Sequence, residues 1–189
     1  TFVRSLTPFI SNSIIPSAFS NEHLITLEKG LHLHWHIPKP LKLFSQDTNL
    51  PKVPTRWYVS KKQNGVIKDE WIIESDYLWD INNPALKTSR HSTYPIPESG
   101  DVKEGFEFRY IGRTLKLNAW LNEQINNGSN DYLGELTALG WGTLNLDLHY
   151  ANCRSVFGFH DPDYQINQPC TYEITGFYAN HEQDFLQTL

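Results

Sequence analysis

Three histidines alternate with apolar residues in the segment 30–37, which reads GLHLHWHI. Because successive side chains of a β-strand point to opposite faces, His32, His34 and His36 share one face and the apolar residues share the other. Two histidines at positions i and i+2 of a strand can hold zinc or iron when a neighbouring strand supplies another ligand. The alternative is a half-solvated sheet face on which imidazoles bond to water, carboxylates and backbone.

Two other histidines could complete such a site. His149 lies beside Asp147 on the polar face of an alternating run, and His160 precedes Asp161. The metal-binding hypothesis therefore uses His32, His34, His149 and His160, with zinc or iron as the cofactor. Its chemistry would be hydrolysis by a metal-activated water. If the chain does not bind zinc or iron, we expect it to have no cofactor.

Aromatic residues make up 13% of the chain and allow a second kind of site. Exposed tryptophan and tyrosine rings can stack on sugar rings, as they do in carbohydrate-binding β-sandwiches. The candidates in or near predicted loops are Trp79, Tyr94, Trp141 and Tyr164. The alternative is that these rings close the ends of the core, since large aromatic side chains are mostly buried.

The elements that must position these residues are mainly strands. The strongest signal is a hairpin, in which the runs 56–60 and 71–75 flank Asn64 and Gly65, two residues that tolerate positive φ. Other strands are predicted at residues 23–28, 106–110, 144–148, 156–159 and 171–178. A helix is predicted over residues 115–125, ended by Asn126-Asn127-Gly128, with a strand through Leu117 and a turn as the alternative.

The rest of the chain consists of irregular segments. Residues 1–22 are predicted to be an irregular lead-in, and residues 39–54 and 82–100 to be long proline-containing loops. No change of composition divides the chain, so residues 1–189 are predicted to form one β-rich domain. Because the sequence begins at Thr1 and contains no methionine, we expect a fragment of a longer protein. The predicted fold is all-β, mainly antiparallel and sandwich- or barrel-like, with at most one short helix.

Composition argues against several classes of function. A formal net charge of −5 argues against nucleic-acid binding, which usually needs a basic surface. No apolar run approaches the roughly 18 residues of a membrane span. Nucleophile-elbow and glycine-rich phosphate motifs are missing. Cys153 and Cys170 are predicted to be free thiols, with one disulfide as the alternative. No feature of the sequence indicates a compartment.

Five motifs, taken in order, carry a resemblance to a known family. They read GLHLHW, VPTRW, WIIESD, NCRSVFGFHD and YEITGFY, and they span most of residues 30–178. Together they resemble the N-terminal region of large uncharacterised bacterial proteins, which we associate with gene neighbourhoods of phage-tail-like contractile injection machines. His32 and His34 belong to the shared pattern. His36 stands where the relatives continue into an Ala-Leu-Pro-Asp-like segment.

The resemblance brings no established activity with it. The leading hypothesis is a structural or interaction module that assembles or binds rather than catalyses. Its partners would be other protein subunits or domains of the parent chain. The motifs would then mark core positions and turns, with Arg56 paired to Asp76. The residues expected to pack in the core are Leu31, Leu33, Trp35, Trp57 and Trp71. A metal site on the histidine strand and a glycan-binding surface are the alternatives.

Overall fold

The computed structural model shows ten strands and one α-helix among the residues that it describes. Those residues are 9–11, 14–17, 20–26, 28–43, 50–80, 92–96, 107–126, 132–138 and 153–184. The strands are β1 (Phe9–Ser11), β2 (Ile14–Ser17), β3 (Ser20–Thr26), β4 (Gly30–His34), β5 (Arg56–Gln63), β6 (Val66–Leu78), β7 (Ser92–Ile96), β8 (Glu107–Lys116), β9 (Gly158–Asp161) and β10 (Thr171–Phe177). The helix is α1 (Leu117–Asn126), and short 3₁₀ turns span Lys39–Lys42 and His181–Gln183. The all-β prediction is confirmed.

The predicted hairpin forms the middle of the larger sheet. This sheet has five strands in the order β10-β5-β6-β8-β7, and every pairing is antiparallel. Asn64 and Gly65 form the turn with φ values of 50° and 77°. These positive values explain the Asn-Gly sequence, because other residue types are strained there. The last predicted strand is also confirmed, as β10.

A second sheet, in the order β1-β4-β9, contains the histidine strand, and β2 and β3 form a separate pair. The core joins the two larger sheets through aromatic rings. Trp57 of β5 lies with its ring centroid 5.3 Å from that of Trp35 and 6.1 Å from that of Phe157. Trp71 of β6 lies 4.8 Å from Phe159 of β9. All five predicted core residues are buried.

Two segments that the sequence predicts to be irregular contain strands. β1, β2 and the start of β3 lie within residues 1–22, and β7 lies within the predicted loop 82–100. Prolines caused both errors, since Pro16 is in β2 and Pro95 is in β7. β7 is an edge strand and β2 belongs to a two-stranded pair, so a missing N–H is tolerated there. The predicted strand 144–148 lies outside the described residues.

The predicted helix is confirmed, but the strand before it is longer than expected. β8 continues to Lys116 and passes directly into α1 at Leu117, and the helix ends at Asn126. No described helix is long and apolar enough to cross a membrane. Cys153 and Cys170 are free thiols, as predicted. Burial raises the pKa of Cys153 well above its ordinary value.

Candidate functional site

The histidine strand is buried along its whole length. His32 is 0% and His34 is 8% exposed, whereas His36, beyond the end of β4, is exposed. The half-solvated face expected from the alternation is therefore wrong for His32 and His34. The reason at His32 is that other residues cover it: the ring of His160 stacks on it, and the carbonyl oxygen of Glu28 lies against its Nε2.

His32 and His160 stack on each other across the β4–β9 pairing. The two residues are opposite in register, and their rings lie 4.3 Å apart at an angle of 6°. Nε2 of His32 lies 2.8 Å from the carbonyl oxygen of Glu28, and Nε2 of His160 lies 3.0 Å from that of Lys29. Because a carbonyl can only accept, each Nε2 carries a hydrogen and donates it.

Arg154 identifies the protonation state of the second ring. Its Nη2 lies 3.0 Å from Nδ1 of His160, and a guanidinium can only donate. Nδ1 therefore accepts, and His160 is a neutral imidazole. Burial, the largest cause, lowers the pKa of His160, and it lowers the pKa of His32 to about 4. Glu28 binds the same guanidinium at 2.8 Å, and this hydrogen bond lowers the pKa of Glu28.

The structure brings only two of the four proposed metal ligands together. His32 and His160 form the stack, His34 lies beside His36 with 5.3 Å between ring centroids, and His149 is outside the described residues. Within the described ranges no group of three or more His, Cys, Asp or Glu side chains is placed to hold a metal ion. The zinc or iron site stays a prediction.

An ion pair beside the histidine stack joins the two larger sheets. The carboxylate of Asp161, at the end of β9, accepts from Lys61 Nζ at 2.7 Å and from the hydroxyl of Tyr172 at 2.5 Å. Burial favours the protonated form, but these two donors lower the pKa of Asp161. Burial raises the pKa of Tyr172. The carboxylate of Asp161 therefore connects β9 to β5 and β10.

A second buried cluster surrounds Glu74 in the middle of β6. Glu74 is not among the site residues predicted from the sequence. Glu74 is 0% exposed. Its carboxylate accepts from Nε of Arg113, from Nε1 of Trp120 at 2.8 Å and from the hydroxyl of Tyr132 at 3.0 Å, and Nε of Arg56 lies 3.4 Å away. The available signal was a glutamate inside an apolar strand, which must find partners if it is buried.

The predicted pair of Arg56 and Asp76 is confirmed and extends the Glu74 cluster. Both side chains are buried, and Arg56 also lies over the ring of Tyr132, 4.7 Å from its centroid. Burial raises the pKa of Asp76, although Arg56 acts to lower it. The cluster, defined as Arg56, Glu74, Asp76 and Arg113 with their hydrogen-bond donors, contains two carboxylates and two guanidinium groups.

The glycan-binding candidates lie in separate parts of the fold. Trp79 follows β6, is half-buried and donates from Nε1 to the carbonyl of Gly112 at 2.8 Å, so its polar edge is already engaged. Tyr94 lies on β7 rather than in a loop. Trp141 is outside the described residues. Tyr164 is half-buried in the loop between β9 and β10 and packs against the core.

Tyr164 lines a polar groove between the β5–β6 hairpin and the loop 162–170. The groove has a volume of about 420 Å³. Three glutamine amides hydrogen-bond along it, with Gln168 3.2 Å from Gln63 and 2.6 Å from Gln165. Lys61, Lys68, Asp69 and Asp163 also line it, so its formal charges balance.

Exposed apolar side chains occur at the same end of the molecule. Val66 and Ile67, just after the hairpin turn, are 58% and 45% exposed, and Ile166 in the loop is 72% exposed. The hydrogen bond between Gln63 and Gln168 ties the loop to the hairpin. We call the tip that carries Val66, Ile67 and Ile166 the hairpin end. Val66 and Ile67 are consecutive in β6, so their side chains project from opposite faces of the strand.

No family model, no curated protein and no solved structure matches the chain. The fold and the site therefore define an all-β protein with two buried polar clusters.

Proposed function

We propose that this chain is a non-catalytic interaction module of a larger bacterial protein or assembly. Its partners would be other protein subunits or domains of the parent chain. One observation carries the proposal: among the described residues, His160, Glu74 and Asp161 are engaged with other groups of the fold, whereas large apolar side chains are exposed at the hairpin end. The bacterial setting comes from the resemblance of the five sequence motifs.

The first support is the state of the buried polar groups. A catalytic acid or base must reach the proton that it transfers. In the described part of the chain, His160, Glu74 and Asp161 each bond to at least two groups of the protein itself. These contacts connect strands, the helix and loops. They explain why such residues occur in the sequence without requiring a reaction.

The second support is the geometry of the hairpin end. β8 pairs with β6 only from Trp71 onward, so the segment from Val66 to Glu70 extends past the end of β8 with β5 as its one partner among the described strands. Exposed apolar side chains rimmed by lysines and amides are typical of a protein-binding surface.

Site-specific photocrosslinking in the organism that makes the protein tests this proposal. A photoreactive amino acid at Val66, Ile67 or Ile166 should give one discrete protein adduct, because each of these side chains would contact the partner. The matched control is the same amino acid at the exposed Asn180, remote from the hairpin turn in the sequence. Equal adducts at all four positions, or no adduct at any, would contradict the hairpin end as the binding surface.

Elemental analysis tests the alternative that the histidine strand holds a catalytic metal. Purified protein should contain less than stoichiometric zinc and iron. Stoichiometric metal that is lost in His34→Ala would instead favour the metal site on the histidine strand. The exposed His36→Ala variant is the control for nonspecific binding to a surface imidazole.

Glycan binding is the second candidate, and the groove beside Tyr164 favours it. Amides, carboxylates and an aromatic side chain are the groups that recognise hydroxyls and sugar faces, and the groove falls within the usual range of about 300–1,000 Å³ for ligand sites. A glycan array with wild type, Tyr164→Ala and Gln168→Ala tests it. A signal lost in both variants and kept in His36→Ala would support glycan binding, and an empty array would eliminate it.

A further inference from the structure

The two edges of the five-stranded sheet differ in their protection against pairing. Natural proteins protect an exposed strand edge with proline, inward charges or bulges, since its free N–H and C=O groups can pair with another chain. β7 carries Pro95, which lacks an N–H. β10 contains no proline, and its register with β5 runs from Thr171 to Phe177 without a shift.

The opposite edge of β10 is not paired to any described strand. Tyr172 and Ile174 point into the core and are buried, whereas Thr171, Glu173 and Phe177 are exposed. Glu173 is the single charged residue of the strand. Its carboxylate binds Nζ of Lys62 on β5 at 2.6 Å, so the charge is partly neutralised within the chain.

We infer that β10 pairs with β10 of a second copy of this chain, antiparallel, around a two-fold axis at Ile174. The product is a continuous sheet of ten strands, five from each copy. A two-fold axis makes the contact self-complementary and closed, which is the commonest form of homodimer.

The charge pattern of β10 supports a second copy in this register. In an antiparallel pair of identical strands, the residue on the axis determines every other partner. Only the register centred on Ile174 pairs all seven residues. It places Glu173 opposite Thr175, and Thr171 opposite Phe177, so no like charges meet. A register centred on Glu173 would place two carboxylates opposite each other, which is unfavourable.

This inference does not rest on the hairpin end, although Thr171 and Glu173 of β10 line the same groove as Asn64 and Gly65 of the hairpin turn. A crosslinked adduct of twice the chain mass would be the second copy, so only an adduct of another mass supports the hairpin end. Loss of the dimer would leave the photocrosslinks at Val66, Ile67 and Ile166 unchanged. Loss of those crosslinks would leave the dimer unchanged. The two proposals therefore fail independently.

Sedimentation of the full 189-residue chain over a range of concentrations tests the inference. Wild type should show a reversible monomer–dimer equilibrium. Thr175→Glu places a carboxylate opposite Glu173 twice in each dimer and should raise the dissociation constant roughly tenfold or more. Thr175→Lys places an ammonium there and should lower it. Gln165→Glu, exposed in the loop before β10, makes the same change of charge as Thr175→Glu and should have little effect.

Hydrogen exchange of the wild-type protein tests the same dimer without any substitution, in case a variant fails to fold. Dilution of wild type below its dissociation constant should accelerate exchange of β10 amides, while amides in the middle of β6, such as that of Ile73, stay protected. A chain that stays monomeric at every concentration overturns the inference. So does a dimer whose stability is unchanged by both substitutions of Thr175, because that dimer uses another surface.

Discussion

Each of the two polar clusters contains a fully buried side chain, His32 in one and Glu74 in the other, but the buried groups are neutral in the first cluster and charged in the second. Around His32 and His160 the buried groups are neutral imidazoles, and the charged groups Arg154 and Glu28 lie toward the surface. Around Glu74 the buried groups are themselves charged, and two carboxylates face two guanidinium groups. A buried group can avoid the cost of losing water by being neutral or by being paired, and this fold uses both solutions.

The clusters also differ in how much of the fold they join. The histidine stack connects the segment before β4 to the neighbouring strand β9 within one sheet. Glu74 lies on β6 and connects β5, β8, α1 and Tyr132. Removing Glu74 should therefore destabilise the protein more than any change at the histidine stack.

The largest effect is expected for Glu74→Ala. The substitution leaves two buried guanidinium groups without their shared carboxylate and also removes the acceptor for Trp120 and Tyr132. Breaking a buried ion pair in this way costs about 3–5 kcal/mol. Chemical denaturation should show this loss of unfolding free energy.

Glu173→Ala is the control for Glu74→Ala, because it removes a carboxylate from an exposed ion pair with Lys62. Its cost should be below about 1 kcal/mol. Equal effects of the two substitutions would show that the Glu74 cluster contributes no more than a surface pair. Glu173 also faces the proposed dimer contact, so both variants are compared at concentrations where the protein is monomeric.

The sequence predicts one cluster better than the other for a physical reason. Alternation along β4 identifies the histidines and their apolar neighbours, because the pattern lies within one strand. It does not show which distant residues cover the histidine face, such as His160 on His32, so a half-solvated face is the natural expectation and is wrong for His32 and His34. Burial of a strand depends on elements distant in sequence, and His160 is 128 residues after His32 by their numbers.

The Glu74 cluster shows the same limit more strongly. The pair of Arg56 and Asp76 is predicted from the motifs VPTRW and WIIESD that contain the two residues. The hairpin brings the two motifs together in the structure. Arg113, Trp120 and Tyr132 come from β8, α1 and a later segment, and no local pattern connects them to β6. The hairpin itself is fully predictable, since Asn64-Gly65 determines its turn locally.

The next largest effect is expected for Gly30→Ala at the histidine stack. Gly30 has φ +142°, and an added Cβ would lie 2.4 Å from the carbonyl oxygen of Asp161 and 2.6 Å from Nε2 of His160. The backbone must move, and the substitution should cost about 2–3 kcal/mol. Thermal or chemical denaturation measures the loss.

Gly65→Ala separates packing from backbone strain. Gly65 also has positive φ, at +77°, but an added Cβ would meet no atom within 4 Å. Its cost should be about 1 kcal/mol, from strain alone. If both glycine variants lose the same stability, the contact between Gly30 and β9 makes no separate contribution.

Acidification should destabilise the histidine stack by about 2 kcal/mol between pH 7 and pH 4.5. Burial lowers the pKa of His32 from its ordinary 6.5 to about 4, so the unfolded chain binds the proton more readily between these values. The stabilisation is complete above pH 6.5 and is lost as pH falls toward 4. Denaturation of wild type and His32→Gln at several pH values measures the difference.

The stability contribution of Asp76, in the Glu74 cluster, should change with pH in the opposite direction to that of His32. Burial raises the pKa of Asp76, so its contribution is present below pH 3.8 and is lost as pH rises through the raised value. Asp76→Asn should therefore make the loss of stability on acidification steeper, and His32→Gln should make it shallower. A change in the same direction in both variants would contradict this assignment.

The smallest effect is expected at an ion pair that has good geometry but lies at the surface. Nζ of Lys116 is 2.5 Å from Asp69, and both side chains are more than a third exposed. Asp69→Asn should cost less than about 0.5 kcal/mol, and even this should vanish at 1 M salt. Lys116→Ala should cost more, because the ammonium also lies 4.1 Å from the centroid of the Trp71 ring. A larger, salt-resistant effect of Asp69→Asn would mean that pair geometry, rather than burial, determines how much a charge contributes in this fold.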